Sequence, residues 1–320
     1  MWVSLILLIV GFIALVWSAD RFLAGAASCA TNLGVSKILI GLTVVSVGTS
    51  APEIMVAFFA ALDGNSLLAV GNAIGSNIAN IGLVLGITAI IAPLPFSKQV
   101  RQSELPWLLG ATFLALAILF DRHLSMLDGV LLLLGLSAVL WRLVAIQRQP
   151  DQEVSASLQE ELDELPDMTT AQAFAWLIVG LLILLASAQV LVYAASDIAV
   201  RLGVSDMIIG LTIVAIGTSL PELAATIGSA IKGHPDIAIG NVVGSNILNI
   251  LAVLAVPALV SPTDISFVAL WRDGGMLLAM TLMLALFAYG INSRAVITRF
   301  EGVVLLAAWV GYNLLLIQQA

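Results

Sequence analysis

The motif GTSAPE, residues 48–53, decides the fold because it recurs as GTSLPE at residues 217–222. The two copies lie within longer matching segments, LGVSKILIGLTVVSVGTSAPEI from Leu33 and LGVSDMIIGLTIVAIGTSLPEL from Leu202. The match continues at a constant offset of 169 residues, and 27 of the 54 aligned pairs between residues 33 and 86 are identical. Agreement over a fixed period is the sign of an internal repeat, so the chain is a duplicated unit.

The composition is that of a protein embedded in a membrane. Apolar residues make up 61% of the chain, charged residues make up 10%, and the mean hydropathy is +1.10. Apolar runs of the ~20 residues that cross a bilayer recur along the sequence, and they differ from the ~10-residue alternating segments of a membrane β-barrel. We therefore predict an all-α polytopic membrane protein. Its single cysteine, Cys29, cannot form an internal disulfide, and the net charge of −8 argues against a nucleic-acid partner.

Hydropathy divides the chain into ten candidate transmembrane helices, five on each side of an acidic segment. The first run lacks the basic n-region and the cleavage site of a signal peptide, so we expect an uncleaved first span. We predict a first repeat of five helices at 1–147, an acidic linker at 148–171 and a second repeat of five helices at 172–320. The predicted spans are residues 2–19, 36–62, 67–92, 105–120, 125–147, 172–194, 206–231, 237–260, 273–290 and 297–317.

The loop cations predict the orientation, because cytoplasmic loops are rich in Lys and Arg. An external N-terminus places nine cations on the cytoplasmic side and three outside. Both termini are then external, and the linker, with seven acids and no Lys or Arg between residues 151 and 167, is cytoplasmic. We predict a multi-pass inner (plasma) membrane protein whose linker is a solvated segment, with cation sensing or partner docking as the alternative.

The odd number of helices in each repeat implies that the two repeats cross the membrane in opposite senses. The charges agree, since Lys37 at a predicted cytoplasmic end is replaced by Asp206 at the equivalent external end. Inverted repeats are typical of secondary transporters, in which the substrate lies near the midplane between discontinuous helices from both halves.

The repeated motif has the chemistry of a hard-cation site. Pro52 has no backbone N–H, so the carbonyl of Gly48 loses its helical partner. Glu53 adds a carboxylate about midway along its span, at a cost of at least ~2.5–3.5 kcal/mol on insertion scales. Carbonyl, hydroxyl and carboxylate oxygens together suit Ca²⁺ or Na⁺ rather than a soft metal. The alternative for Glu53 and Glu222 is a protonated, hydrogen-bonded carboxyl or a structural ion pair.

The span after each motif carries a stripe of polar side chains. In the first repeat, Asn72, Ser76 and Asn80 are spaced by four residues, and Asn77 lies beside them. In the second repeat, Asn241, Ser245 and Asn249 have the same spacing, and Asn246 lies beside them. Gly71 and Gly75 predict close approach of a neighbouring helix. Asn72 and Asn241 could equally be structural, and a single Ser or Asn often makes only an interhelical hydrogen bond. Asp128 and Glu301 are interpreted as helix-start acids, and no role is assigned to His123 or His234.

The paired motifs GTSAPE and GTSLPE, together with GSNIAN and GSNILN, resemble the two α-repeats of the Ca²⁺/cation antiporter superfamily. The sodium/calcium exchanger family, in its compact ten-helix prokaryotic type, is the most similar branch. The resemblance implies exchange of Ca²⁺ for Na⁺ by alternating access, with helices 2–19 and 172–194 sliding past the core. It also implies a protein that works as a monomer in the lipid bilayer, with Ca²⁺ and Na⁺ as bound ions and no covalent cofactor.

The resemblance assigns a role to each polar residue of the core. Glu53 and Glu222 would be the central ligands of both ions, Thr49 and Thr218 would add oxygens for Ca²⁺, and Asn80 and Asn249 would complete the centre. The flanking Na⁺ sites would be lined by Ser50, Ser76, Ser219, Ser245 and the backbone carbonyls of Ser46 and Ala215. Some microbial members carry Asp at the position of Asn249, so this chain departs from them and has only two core charges.

Other functions remain open at this stage. Two glutamates are neutralised by one Ca²⁺, by two Na⁺ or by two H⁺, so Ca²⁺/H⁺, Na⁺/H⁺ or K⁺-dependent exchange are alternatives. A cation channel is disfavoured by the inverted repeat with a single midplane site. A membrane enzyme is disfavoured because the core offers no His or Cys and its serines lack a nearby base.

Overall fold

The structure, a computed structural model, describes residues 1–33, 50–147, 168–231, 235–290 and 295–319. These residues form ten helical segments, which confirms the predicted all-α polytopic fold. Residues 36–49 of the predicted second span and residues 148–167 of the predicted linker lie outside the described residues. The segments are α1 Trp2–Asn32, α2 Ala51–Leu62, α3 Ser66–Ile91, α4 Val100–Asp121, α5 Met126–Gln147, α6 Thr170–Leu202, α7 Asp206–Thr218 followed by Leu220–Ile231, α8 Pro235–Leu248 continued by Asn249–Val253 and Ala255–Val260, α9 Phe267–Tyr289, and α10 Arg299–Gln318.

Length and hydropathy identify the segments that can cross a bilayer. Within the described ranges, seven helices are long and apolar enough to cross on their own. The two parts of α7 pass the same test together as an eighth, although they are bent by 42° where they join. α2 begins within the first motif, at Ala51, and its 12 residues are shorter than these spans.

The predicted ends of the first and sixth spans were wrong. α1 continues past residue 19 to Asn32, and α6 continues past residue 194 to Leu202. Both predicted spans ended before the first charged residue of the helix, Asp20 or Asp197, yet both helices continue past these charges. Arg21 lies 5.8 Å from the ring centre of Trp17 and 5.2 Å from that of Trp176, a cation–π arrangement that stabilises its charge beside apolar surface. At 1.5 Å per residue each helix is about 46–50 Å long, so each exceeds the ~30 Å hydrocarbon thickness.

α1 and α6 pack antiparallel along their length, as inverted equivalents must. The β-carbon that alanine would place at Gly11 would contact Leu191, while a β-carbon at Gly25 would lie 2.5 Å from the backbone nitrogen of Leu177. A β-carbon on Gly180 would likewise lie 2.6 Å from the backbone nitrogen of Phe22. At the far end of the pair, Ser4 donates a hydrogen bond to Asp197.

Two short antiparallel strand pairs join the repeats. Leu94–Pro95 (β1) pairs with Val296–Ile297 (β4), and His123–Leu124 (β2) pairs with Thr263–Asp264 (β3). β1 and β3 are equivalent at the repeat offset of 169 residues, and each pairs with a strand of the other repeat. The two halves are therefore joined in a pseudo-symmetric manner between the helices.

α3 contacts α7 through glycines, which confirms the prediction for Gly71 and Gly75. A β-carbon on Gly71 would overlap the carbonyl oxygen of Met207, and one on Gly75 would lie 2.7 Å from the carbonyl oxygen of Leu211. A β-carbon on Gly210 of α7 would overlap the carbonyl oxygen of Leu68 in the same way. Only glycine permits this backbone separation, and the separation brings the polar stripe of α3 against the motif in α7.

We expect Gly71→Ala to destabilise the protein by about 1–3 kcal/mol, because the methyl group must push the backbone of α7 away. The measurement is the melting temperature of the purified protein in detergent. Gly110→Ala on α4 is the matched control, since a β-carbon there meets nothing within 4 Å. A melting temperature for Gly71→Ala equal to that of Gly110→Ala would contradict the close contact.

His123 provides a pH-dependent contact between the repeats. Its Nδ1 lies 2.7 Å from Oδ1 of Asp264 on the partner strand, and this hydrogen bond holds the pKa of His123 above its ordinary value of 6.5. A raised pKa in the folded state means that the contact stabilises the fold fully below the unfolded pKa. That contribution is lost as the pH rises through the folded pKa.

The melting temperature of the wild type should therefore exceed that of His123→Gln at about pH 5.5, and the difference should shrink by about pH 9. The effect is small because the pair is exposed to solvent. Asp121→Asn, which leaves the His123–Asp264 pair in place, serves as the comparison. A difference that grows with pH would show that the imidazolium does not stabilise this strand pair.

Candidate cation-binding site

The two motifs produce the same local backbone at equivalent positions. Ser219 interrupts α7 with φ −85° and ψ 2°, and Ser50, which precedes α2, has φ −90° and ψ 7°. A proline follows two residues later in each copy, where its missing N–H falls in the first turn of the new helix. Each motif therefore begins a helix inside the membrane, and the start of that helix carries positive partial charge.

Glu53 and Glu222 occupy the first turns of these two new helices. Glu53 is 0% exposed and Glu222 is 2% exposed. Both oxygens of both carboxylates lack a hydrogen-bond partner among the described residues. Among the described residues, neither carboxylate forms an ion pair.

A hydrogen-bonded set of polar side chains links α3 to the motif in α7. The hydroxyl of Thr218 donates to Oδ1 of Asn72 at 3.2 Å and lies 3.3 Å from the hydroxyl of Ser76. Nδ2 of Asn72 donates to the backbone carbonyl of Glu53 at 3.3 Å. Asn72 thus connects the first motif to the second.

A second set of carboxamides links α3 to α8. Nδ2 of Asn80 donates to Oδ1 of Asn246 at 3.0 Å, and Nδ2 of Asn246 donates to the backbone carbonyl of Asn77 at 3.4 Å. Oδ1 of Asn80 and both polar atoms of Asn249 have no partner among the described residues, although both side chains are fully buried.

Both helices change their winding at an asparagine, and the two asparagines are equivalent in the two repeats. Asn80–Leu85 in α3 and Asn249–Val253 in α8 are π-helical turns. Such turns are rare, and they are frequently found at functional sites because they displace side chains from the regular helical register.

Most of the residues that the sequence predicted for the site are buried in the described core. Ser46 and Thr49 lie outside the described residues. The carbonyl of Ala215 accepts hydrogen bonds from the backbone N–H of Ser219 and from the hydroxyl of Thr218. The predicted side chains that are buried in the described core, each 0–2% exposed, are Glu53, Glu222, Thr218, Ser50, Ser219, Ser76, Ser245, Asn80 and Asn249.

Sequence reasoning missed some partners of these residues and was right about two others. It left Asn72 undecided and gave no role to Asn246, because hydrogen bonds between distant segments leave no mark in one sequence. It correctly interpreted Asp128 and Glu301 as helix-start acids. Asp128 accepts from Ser125 at 2.8 Å, and Glu301 forms a capping box with Thr298.

The available donors select the class of ligand. Among the described residues, no group of three or more His, Cys, Asp or Glu side chains could hold a metal ion. The described core instead offers two buried carboxylates together with buried hydroxyl and carboxamide oxygens, several of which have no partner among the described residues. Oxygen donors of this kind suit Ca²⁺ and Na⁺, and they do not suit Zn²⁺ or Cu⁺.

Comparison with known proteins gives the family. The model of the family described as sodium/calcium exchanger protein matches residues 3–144 and 172–318, that is, both repeats. The protein CaxA of Alkalimonas amylolytica is 46% identical over 99% of each chain, and the inner membrane protein YrbG of Escherichia coli is 42% identical over 88% of each. A structure of the sodium-calcium exchanger NCX_Mj soaked with Na⁺ and Ca²⁺ is similar with a TM-score of 0.64, at 33% identity and 96% coverage of each chain.

These matches extend over nearly the whole chain and confirm the resemblance that the paired motifs indicated. The chain is thus a multi-pass membrane protein and a cation antiporter rather than an enzyme, and it belongs to the sodium/calcium exchanger family.

Proposed function

We propose that this protein exchanges Ca²⁺ for Na⁺ across the inner membrane by alternating access, at a midplane site built on Glu53 and Glu222. The observation that carries the proposal is the pair of fully buried carboxylates whose oxygens have no partner in the described core. The similarity to NCX_Mj, whose structure was soaked with both ions, supports the choice of ions. The similarity to YrbG supports the choice of membrane.

Charge balance explains why transport is coupled. One Ca²⁺ neutralises the two carboxylates, so the filled site can face a low-dielectric barrier. The empty site carries two uncompensated negative charges, and moving it past the same barrier is costly. A counter-ion must therefore fill the site before the protein returns, which makes the cycle an exchange rather than a leak.

The neutral residues around the glutamates supply the remaining oxygens. In this proposal Thr218 and Thr49 contribute to the Ca²⁺ site, and Asn80 and Asn249 complete its centre. The serines at positions 50, 76, 219 and 245 line the Na⁺ sites, with the backbone carbonyls of Ser46 and Ala215. Ca²⁺ takes six to eight oxygen ligands, more than the two carboxylates alone provide.

The contact between α1 and the motif supports a gate at this position. A β-carbon on Gly217 would overlap the ring of Phe12, so this ring lies directly on the break in α7. Because α1 and α6 are packed together along their length, they can move as a unit across the two motifs. In this proposal their movement opens the site first to one side of the membrane and then to the other.

The direct test is Ca²⁺ uptake by proteoliposomes with the Na⁺, K⁺ and H⁺ gradients varied independently. Uptake by the wild type should require an opposed Na⁺ gradient. Glu53→Gln and Glu222→Gln should each abolish it, because one remaining carboxylate cannot neutralise Ca²⁺. Glu301→Gln is the matched control, since glutamine also completes a capping box, and its uptake should equal that of the wild type.

The other outcomes identify other functions. Uptake driven by a pH gradient without Na⁺ would show proton coupling, and a requirement for K⁺ would show K⁺-dependent exchange. A flux that needs no opposed gradient and is far above transporter rates would show a channel. Full uptake by either glutamine variant would place the site elsewhere.

A second prediction concerns the number of Na⁺ ions that are exchanged for each Ca²⁺. Family resemblance favours three Na⁺ for each Ca²⁺, so each cycle moves one net positive charge against the direction of Ca²⁺. Uptake into Na⁺-loaded vesicles should therefore accelerate when valinomycin and external K⁺ make the vesicle interior positive. Ca²⁺ uptake that is independent of this potential would indicate two Na⁺ ions.

A further inference from the structure

The two repeats differ in one detail of the core that the duplicated sequence would leave symmetric. Asn80 of α3 and Asn249 of α8 are equivalent at the repeat offset of 169 residues, and so are Asn77 and Asn246. Asn80 and Asn246 therefore form one pair across the repeats, and Asn249 and Asn77 are the equivalent pair, which lines one cavity. In the structure, one of these pairs is hydrogen bonded and the other is not.

In the bonded pair, both carboxamides have a fixed orientation. Nδ2 of Asn246 donates to the backbone carbonyl of Asn77, which leaves Oδ1 of Asn246 free to accept. That oxygen accepts Nδ2 of Asn80 at 3.0 Å. The consequence is that Oδ1 of Asn80 is left without a partner among the described residues in a fully buried position.

This orientation matters for a cation. A carboxamide presents either an oxygen or an NH₂ group, and only the oxygen can bind Na⁺ or Ca²⁺. The terminal torsion of asparagine is broad and roughly two-fold, so the side chain does not choose between these faces without help. An acceptor that engages Nδ2 directs Oδ1 away from itself, and Asn246 is such an acceptor.

The equivalent pair has the same complementary atoms but is open. Nδ2 of Asn77 donates to the backbone carbonyl of Ala73 at 2.8 Å, and its Oδ1 has no partner among the described residues. Both Oδ1 and Nδ2 of Asn249 are likewise unpaired. Asn77 and Asn249 line the same cavity between α3, α4, α8 and α9, and its other walls are apolar, for example Leu116 and Leu277.

If Asn77 and Asn249 served only to pack the core, their buried polar atoms would be expected to form hydrogen bonds. Buried carboxamides in membrane helices usually form hydrogen bonds that satisfy their polar atoms. Here one acceptor on Asn77 and one donor on Asn249, both beside one cavity, have no partner in the part of the chain that the structure describes. A hydrogen bond from Nδ2 of Asn249 to Oδ1 of Asn77 would satisfy both atoms and would leave Oδ1 of Asn249 as the free oxygen, which reproduces the other pair.

We propose that Asn246 and Asn77 are positioning residues that turn the carboxamide oxygens of Asn80 and Asn249 toward the transported cation, and that the Asn249–Asn77 hydrogen bond closes when a cation engages Asn249. This inference rests on the proposed function, since it concerns the same site. It also explains how this chain uses a neutral asparagine at position 249. A carboxylate there would present an oxygen in either orientation and would need no such partner.

The test is a pair of double-mutant cycles read by equilibrium binding of ⁴⁵Ca²⁺ to the purified protein in detergent. Asn246→Leu and Asn77→Leu should each raise the half-saturating Ca²⁺ concentration about tenfold, which corresponds to about 1.4 kcal/mol. When Asn80→Asp is already present, adding Asn246→Leu should change the half-saturating Ca²⁺ concentration less than about twofold. The same should hold when Asn77→Leu is added to Asn249→Asp. A carboxylate has two equivalent oxygens, so its orientation no longer matters.

The control variant removes a similar hydrogen bond at a position away from the site. Nδ2 of Asn313 on α10 donates to the carbonyl of Trp309 four residues earlier, as Asn77 does to Ala73. Asn313→Leu should leave the half-saturating concentration unchanged. If a leucine variant is not recovered as a monodisperse protein, the alanine variant at the same position enters the same cycle.

Three results would overturn the inference. Binding by Asn246→Leu and Asn77→Leu within twofold of the wild type would show that neither residue orients a ligand. An equal loss with and without the aspartate would show that the two residues only support the packing of the core. Absence of Ca²⁺ binding by the wild type would overturn the proposed function itself, and this is seen before any variant is made. Proton-coupled flux by the wild type would change the counter-ion, yet the cycles would still support or refute the positioning roles.

Discussion

Two carboxylates without a neutralising partner in the described core are the constraint on which the rest of this structure depends. Isolated charges of this kind are expensive in the membrane, so Glu53 and Glu222 persist only because the surrounding structure compensates for them. Each begins a helix, where the backbone dipole favours a negative charge. Neither forms an ion pair with Lys or Arg in the described part of the chain, and in the proposed function a bound cation completes the compensation.

The close packing of α3 against α7 follows from the same constraint. Oxygens can share a small cation only if the backbones that carry them approach closely, and Gly71, Gly75 and Gly210 allow this approach. The contact places Asn72 where it can hold the backbone of Glu53 with one end and Thr218 with the other. Glycine positions and polar positions therefore act together, because neither would form the site alone.

Much of this arrangement could be predicted from the sequence, and the reasons are specific. The ten helices follow from hydropathy, the inverted symmetry follows from an odd number of helices in a duplicated unit, and the site follows from charges that lipid does not tolerate. The ends of α1 and α6 could not be predicted, because whether Arg21 ends a helix depends on Trp176, which belongs to another span. The hydrogen bond between Asn80 and Asn246 was equally hidden, since it depends on the distance between two helices.

Equivalent acids outside the two motifs have different partners in the two repeats, whereas the glutamates of the motifs are identical. Glu104 and Asp273 are equivalent acids at the repeat offset, and each lies in a π-helical turn near the start of its helix. Asp273 is bound by Arg272 and by the hydroxyl of Tyr312, which tie α9 to α10. Glu104 instead accepts a hydrogen bond from Gln99, and the first repeat has Ser103 where the second has Arg272. The two equivalent acids therefore have different partners in the two repeats. The glutamates of the two motifs are identical in the two repeats, as the proposed function requires if one ion is held by both.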